Sequence, residues 1–264
     1  MATDAKPMKI ALYSDLHLEC LPEPWQPPIL DADVVILAGD IASHTHGLRW
    51  ASTAFSHWPR PPAIFYIAGN HEYYGAHLGL LAELRKPEWQ LAGVRLLEKD
   101  CAVLPGLRIL GCTLWSGFDL YGPNHIEVGM NEAKRSINDY RMIKTSGGQY
   151  LKPLDTVRLH RLSTQWLSKE LSKPFNGKTV VVTHFAPHRR CVAPQYDNSA
   201  LSPYFVTDLS RLMVTNSIDV WCHGHTHTNN DFVAENGCRV ISNQRGYPGE
   251  VSQSGFRADL IIEV

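Results

Sequence analysis

Eight polar residues that follow short apolar runs have the chemistry of metal ligands: Asp15 and His17, Asp40, Asn70 and His71, His184, His225 and His227. In Asp15-Leu16-His17 and His225-Thr226-His227 two donors stand two residues apart, a spacing that a tight loop can turn toward neighbouring metals rather than one. Carboxylate, imidazole and one amide oxygen form a borderline-hard set, suited to Mn, Fe, Zn, Co or Ni rather than to Cu(I) or an iron–sulfur cluster. Seven ligands from this set exceed what one catalytic metal needs. Two metals sharing one carboxylate, with positions open to water and substrate, are the economical assignment.

The elements that must position these donors follow from the apolar pattern. Runs at residues 10–13, 34–38, 64–68, 107–112, 179–183, 218–222, 239–242 and 260–264 read as eight buried strands, several opening into a polar loop at the carboxyl end. Between them lie helical stretches: Leu78, Leu81, Ala82 and Leu84 share a face, as do Leu159, Leu162 and Trp166. Ser202-Pro203 is a helix start by its chemistry, and that helix is expected to run to about residue 215. Strand and helix alternate as in βαβ units, which predicts an α/β fold with both sheet faces covered. Ligands in such folds gather at the carboxyl ends of strands, so the donor loops are expected to converge.

The 264 residues, 44% hydrophobic and 19% charged, can bury a core and read as a single domain. Residues 113–153 are polar and glycine-containing, with a helix expected near 124–137, and read as an insertion or lid over the site. A formal charge of −1 argues against a nucleic-acid polymer as partner. The longest apolar run, residues 63–68, is far below the ~20 residues of a membrane span, so no membrane association is expected. No secretory signal is read, which makes the cytoplasm the expected location. The six scattered cysteines read as reduced thiols.

Taken as ordered blocks, Ser14-Asp15-Leu16-His17, Gly39-Asp40, Gly69-Asn70-His71-Glu72, Thr183-His184 and Gly224-His225-Thr226-His227 resemble the five motifs of the calcineurin-like metallophosphoesterases. The resemblance spans residues 8 to about 247. It implies a four-layer α/β/β/α sandwich in which Asp15, His17 and His227 hold one divalent metal, Asn70, His184 and His225 hold another, and Asp40 bridges them. By the same resemblance His71 is not a ligand but stabilises developing charge or protonates the leaving oxygen. The reaction implied is hydrolysis of small phosphodiesters or phosphomonoesters by a hydroxide held between the two ions. Asn70 suits its place because its amide has an acceptor for a metal and donors for a phosphoryl oxygen.

Asn243-Gln244-Arg245-Gly246-Tyr247 resembles an Asn-Pro-Arg-Gly-Tyr segment of a bacterial branch, with Gln244 in place of Pro, and Phe185 stands where that branch has a second His. Both departures bear on substrate-pocket detail. Arg141, His188 and Arg245 are read as substrate contacts, with Tyr140 and Trp115 as further pocket residues. Glu72 is either an orienting partner of a ligand or a surface charge, and His223 a partner of the ligands or a plain strand end. His44, His46, His57, His77, His125 and His160 are assigned to surface or packing roles. Two other readings stay open: a phosphoprotein phosphatase, and a catalytically silent scaffold of the same fold that binds a partner without turnover. No protein partner is identified.

Overall fold

The computed structural model describes residues 6–23, 25–234 and 236–264. One sheet has the order β11-β1-β2-β3-β4, built from β1 (Lys9–Tyr13), β2 (Val34–Ala38), β3 (Ala63–Ile67), β4 (Val94–Leu96) and β11 (Ile261–Glu263). The second runs β5-β6-β7-β8-β10-β9, from β5 (Asp100–Leu104), β6 (Leu107–Cys112), β7 (Lys178–Thr183), β8 (Val220–His223), β9 (Asp231–Val233) and β10 (Arg239–Ser242). Inner neighbours are parallel, while β11, β5 and β9 pair antiparallel at edges.

Alternation along each strand sends successive side chains to opposite faces. Ile10, Leu12, Ile36, Phe65 and Ile67 of the first sheet pack against Ile109, Val180, Val182, Val220 and Ile241 of the second, so the sheets meet face to face. Ala11, Tyr13, Val35, Leu37 and Tyr66 point the other way, toward Leu48, Ala51 and Phe55 in and after the helix His46–Ala54. On the far side the helix Pro153–Leu171 brings Leu167 and Leu171 into the same apolar cluster as Leu110 and Val181. The result is the expected α/β/β/α order. Strands buried on both faces explain why β2 reads as an unbroken apolar run.

Several expectations are corrected. β4, β5 and β9 are short or half-exposed edges that the apolar pattern does not single out, whereas the fourth edge, β11, lies within the expected run 260–264. The helix Pro153–Leu171 buries Thr156, His160, Ser163, Leu167 and Leu171, whereas of the expected face Leu159 and Trp166 are only partly buried at its edge and Leu162 is exposed; a stripe that mixes polar residues with leucines faces inward. The expected helix from Ser202 breaks into Ser202–Phe205 and Ser210–Thr215, because Val206 bridges Ala186 and the Thr207 hydroxyl donates to Asp119. Leu78–Leu80 and Leu81–Leu84 are two short turns in which only Leu84 is buried. Within 113–153 the helix is Ile126–Ser136. No helix among the described residues is long and apolar enough to cross a membrane.

Candidate metal centre

Loops at the strand ends carry the donors in tightly turned backbone. Asp15, His17, Asp40, His225 and His227 all have positive φ, between 46° and 75°. Such conformations cost about 1–3 kcal/mol each outside glycine and concentrate where a fold stores strain for function. Close approach also demands glycine: a Cβ at Gly69 would run into Asp40 Oδ1. Glu72 pins these turns together. Fully buried, it accepts from the backbone N–H groups of Asp40 (3.1 Å), Ile41 (3.0 Å) and Gly69 (2.6 Å) and from the Tyr66 hydroxyl (2.6 Å). Burial, then the Asp40 charge, pushes its carboxyl up to about 7. It therefore orients the loop of a donor and is not a surface charge.

The structure brings all eight residues together around Asp40. Donor atoms of Asp15, His17 and His227 lie within 4.8 Å of one another, as do those of Asp40, His184 and His225, and those of His17, Asp40 and His71. His17 Nε2 is 3.1 Å from His227 Nε2, and His227 Nε2 is 3.4 Å from Asp15 Oδ1. Across the cluster, Asp40 Oδ2 is 3.3 Å from His184 Nε2, which is 3.1 Å from Asn70 Oδ1. Asp40 Oδ1 accepts the backbone N–H of His71 at 2.8 Å, and Asp15 accepts that of His225 at 3.0 Å.

Each of four imidazoles is anchored at Nδ1. Glu19 Oε1 takes both His17 (3.2 Å) and His71 (3.0 Å), Glu250 takes His227 (2.7 Å), and the Ala38 carbonyl takes His184 (2.9 Å). Such anchoring fixes ring orientation and leaves Nε2 for a metal or a substrate. His225 differs: its Nε2 is buried with no hydrogen-bond partner. A buried polar atom left unpaired costs about 1–3 kcal/mol, and a bound cation would satisfy it. The donor set and this orphaned nitrogen fit divalent metal ions.

Electrostatics agree with that fit. Burial would lower His184 and His227, but the charges of Asp40 and Asp15 outweigh it and raise them to about 10 and about 9. Burial, reinforced by the His184 charge, holds His225 well below its ordinary value. Burial opposes ionisation of Asp40, yet His184 and His71 hold it well below the usual carboxylate range. Protons here occupy the place of cations, and metal binding would displace them.

His71 stands beside the donors, its Nε2 4.0 Å from Asp40 Oδ2 and 3.0 Å from the Tyr247 hydroxyl, and its ring lies on Tyr74 at 4.0 Å. Burial lowers its pKa, but Asp40 and Glu19 raise it on balance. Tyr247 also covers His17, with ring centroids 4.3 Å apart. Asn70 departs from expectation: its Nδ2 donates to Asp139 Oδ1 at 2.9 Å and reaches the Tyr74 hydroxyl at 3.4 Å, so its donors are not free for a phosphoryl oxygen. Burial pushes the Asp139 carboxyl up, opposed by its three donors, Tyr204, Asn70 and Tyr74.

The remaining predicted residues fall in different places. Arg141 is exposed and donates to the Arg135 carbonyl. His188 is buried, caps a turn through the Arg190 N–H at 3.1 Å, and with Arg189, Arg190, Asp197 and Asp208 lines a separate cavity of about 550 Å³. Arg245 is half-buried and its Nη1 lacks a partner. Tyr140 bonds Thr156, and Trp115 packs in the core while its carbonyl pairs with His160. His223 pairs with Cys191 Sγ at 3.4 Å and the Gly224 carbonyl at 3.1 Å, so it ends a strand without supporting a donor side chain. Gln244 and Phe185 bear on the donor loops themselves: Gln244 Oε1 accepts the His227 N–H at 2.7 Å, and the Phe185 ring lies 3.9 Å from that of His225.

Glu19, Glu250, Asp139 and Tyr247 were not singled out from the sequence. Glu19, two residues after His17, continues the two-residue spacing, and Tyr247 closes the Asn243–Tyr247 segment; Glu250 and Asp139 have no such local signal.

Two packed sheets with Asp, Asn and His donors gathered at strand ends are the architecture of a metallophosphoesterase. The profile described as calcineurin-like phosphoesterase matches residues 8–229, and the chain belongs to that family. An uncharacterised protein of Acanthamoeba polyphaga mimivirus is 29% identical over 203 residues, 71% of this chain and 69% of its own length. Among solved structures, the phosphopantetheinyl hydrolase of Mycobacterium tuberculosis matches with a TM-score of 0.74 at 20% identity, over 98% of this chain and 96% of its own, a likeness of fold. A dimetal phosphatase of Danio rerio matches at 16% identity with a TM-score of 0.48, over 91% of this chain and 88% of its own.

Proposed function

We propose that this protein hydrolyses small phosphodiesters or phosphomonoesters with two divalent metal ions. The observation that carries the reading is the gathering of six other donors around one carboxylate, Asp40, with a buried His225 nitrogen that has no protein partner. Asp15, His17 and His227 would hold one ion, Asn70, His184 and His225 the other, and Asp40 both. When bound, such cations polarise phosphoryl oxygens and lower the pKa of water enough to supply hydroxide near neutral pH.

The chain's own residues then complete the site. Glu19 fixes His71 through Nδ1, and Nε2, now 3.0 Å from the Tyr247 hydroxyl, would donate a proton to the leaving oxygen once that oxygen takes the hydroxyl's place. The Glu19 carboxylate at His71 Nδ1 favours the protonated form of the ring that this role requires. Tyr247 lies across His17 and His71 and narrows the approach, which supports a small substrate over a folded phosphoprotein. Of Arg141, His188 and Arg245, the last is best suited to an anionic group, because its Nη1 is unsatisfied and its neighbour Gly246 donates to the Asp15 carbonyl.

The test is hydrolysis by metal-stripped protein reloaded with Mn, on a phosphodiester and a phosphomonoester chromogen side by side, with His71→Gln as control. Metal-dependent turnover that falls in the variant supports the proposal, and the rate ratio selects diester or monoester chemistry. Two bound metals with no turnover on either chromogen or on a phosphopeptide would favour a scaffold instead.

A further inference from the structure

We infer that Asp139 is a positioning residue that decides which end of the Asn70 amide faces the metal donors. The inference rests on the metal-centre reading above. Asp139 begins the short helix Asp139–Met142 and is fully buried. Its Oδ1 accepts from Asn70 Nδ2 at 2.9 Å and the Tyr74 hydroxyl at 3.0 Å, and its Oδ2 accepts from the Tyr204 hydroxyl at 2.6 Å. At the other end of the same amide, Asn70 Oδ1 is 3.1 Å from His184 Nε2.

An asparagine side chain has nearly the same shape when its oxygen and nitrogen are exchanged, so packing alone cannot choose between the two orientations; its hydrogen-bond neighbours do. A carboxylate offers only lone pairs. It attracts the NH₂ group and repels the amide oxygen, which directs Oδ1 toward His184 and the donor cluster. The reverse orientation would place an NH₂ group, with no lone pair to give a cation, among the ligands. Tyr74 and Tyr204 in turn engage both Asp139 oxygens, so the carboxylate cannot rotate away without losing a partner. Residues 113–153 are thereby tied to the centre through one carboxylate, 69 residues from the asparagine it orients.

The experiment compares the wild-type chain with Asp139→Asn by Mn titration and metal analysis. Co-substituted protein is followed in parallel by its visible spectrum. Outer partners of metal ligands typically contribute about 10–100-fold to affinity. The expected result is a loss of that size for one of two ions, with the other retained and one set of Co bands altered. Tyr204→Phe, which keeps the carboxylate but frees one oxygen, should shift the same ion by less, and it carries the test if Asp139→Asn does not fold. Wild-type affinity for both ions in a folded Asp139→Asn chain, or in Tyr204→Phe when only that variant folds, overturns the inference. Failure of the wild type to bind metal overturns it together with the metal-centre reading. Two tightly bound ions without hydrolysis would sink the hydrolase proposal alone, because the readout here is binding.

Discussion

The two halves of the donor cluster are anchored by different chemistry. Around Asp15, His17 and His227 the outer partners are carboxylates near solvent: the side chains of Glu19 and Glu250 are 21% and 42% exposed. Around Asn70, His184 and His225 the partners are a backbone carbonyl, the buried Asp139 and the Phe185 ring, all out of water. Charge near solvent is screened and adjustable, whereas buried positioning depends on geometry and is costly to disturb. The first half is therefore the one expected to exchange its ion readily, and the second the one set by packing.

The largest effect should come from the residue common to both halves. Asp40→Asn removes the shared charge and is expected to reduce metal content and activity together, by more than the ~100-fold reached through an outer partner; metal analysis beside turnover checks it, and full occupancy of both sites would remove the bridging role. His71→Gln is expected to keep both ions and to lower kcat by about 10²–10⁴, most on poor leaving groups. Because His71 must be protonated to act, the wild-type rate should fall as pH climbs past the pKa of His71 in the loaded enzyme, and the variant should lack this basic limb.

Smaller effects separate the anchors. Glu19→Gln loosens His17 and His71 together and should cost about 10–100-fold in kcat/KM, while Glu250→Gln, which touches one donor ring, His227, and the Tyr247 N–H and is more exposed, should cost less. Equal losses in steady-state assays would contradict this ranking. A pH effect on stability distinguishes metal-free from loaded protein. The folded pKa values of His184 and His227, about 10 and about 9, lie above the ~6.5 of an unfolded histidine. Such groups stabilise fully below the unfolded value and lose that contribution as pH rises through the folded one. Metal-free protein should thus lose stability to denaturant between about pH 6.5 and pH 10, whereas loaded protein, with ions in place of those protons, should not.

What could be read from the sequence was whatever a few neighbouring residues carry. Asp15, Asp40, Asn70 and His184 each follow a buried apolar run, so strand and donor announce one another locally. The edge strands β4, β5 and β9 are short or half exposed and carry no such run leading into a donor. Asp139 and Glu250 reach Asn70 and His227 from distant loops, and only the packed chain brings them there. Arg141 and His188 have side chains of a type that suits a phosphate, but residue type does not say which way a side chain points: the first donates to a surface carbonyl and the second caps a turn. The inward face of the helix Pro153–Leu171 was obscured for a related reason, since His160 and Ser163 share it with Leu167 and Leu171 and dilute its apolar signal.

The most direct test of the central claim is to locate Mn by anomalous diffraction in crystals of the loaded protein. Two ions, one held by Asp15, His17 and His227 and the other by Asn70, His184 and His225, with Asp40 between them, are predicted. A single ion, or ions bound away from Asp40, would contradict the account.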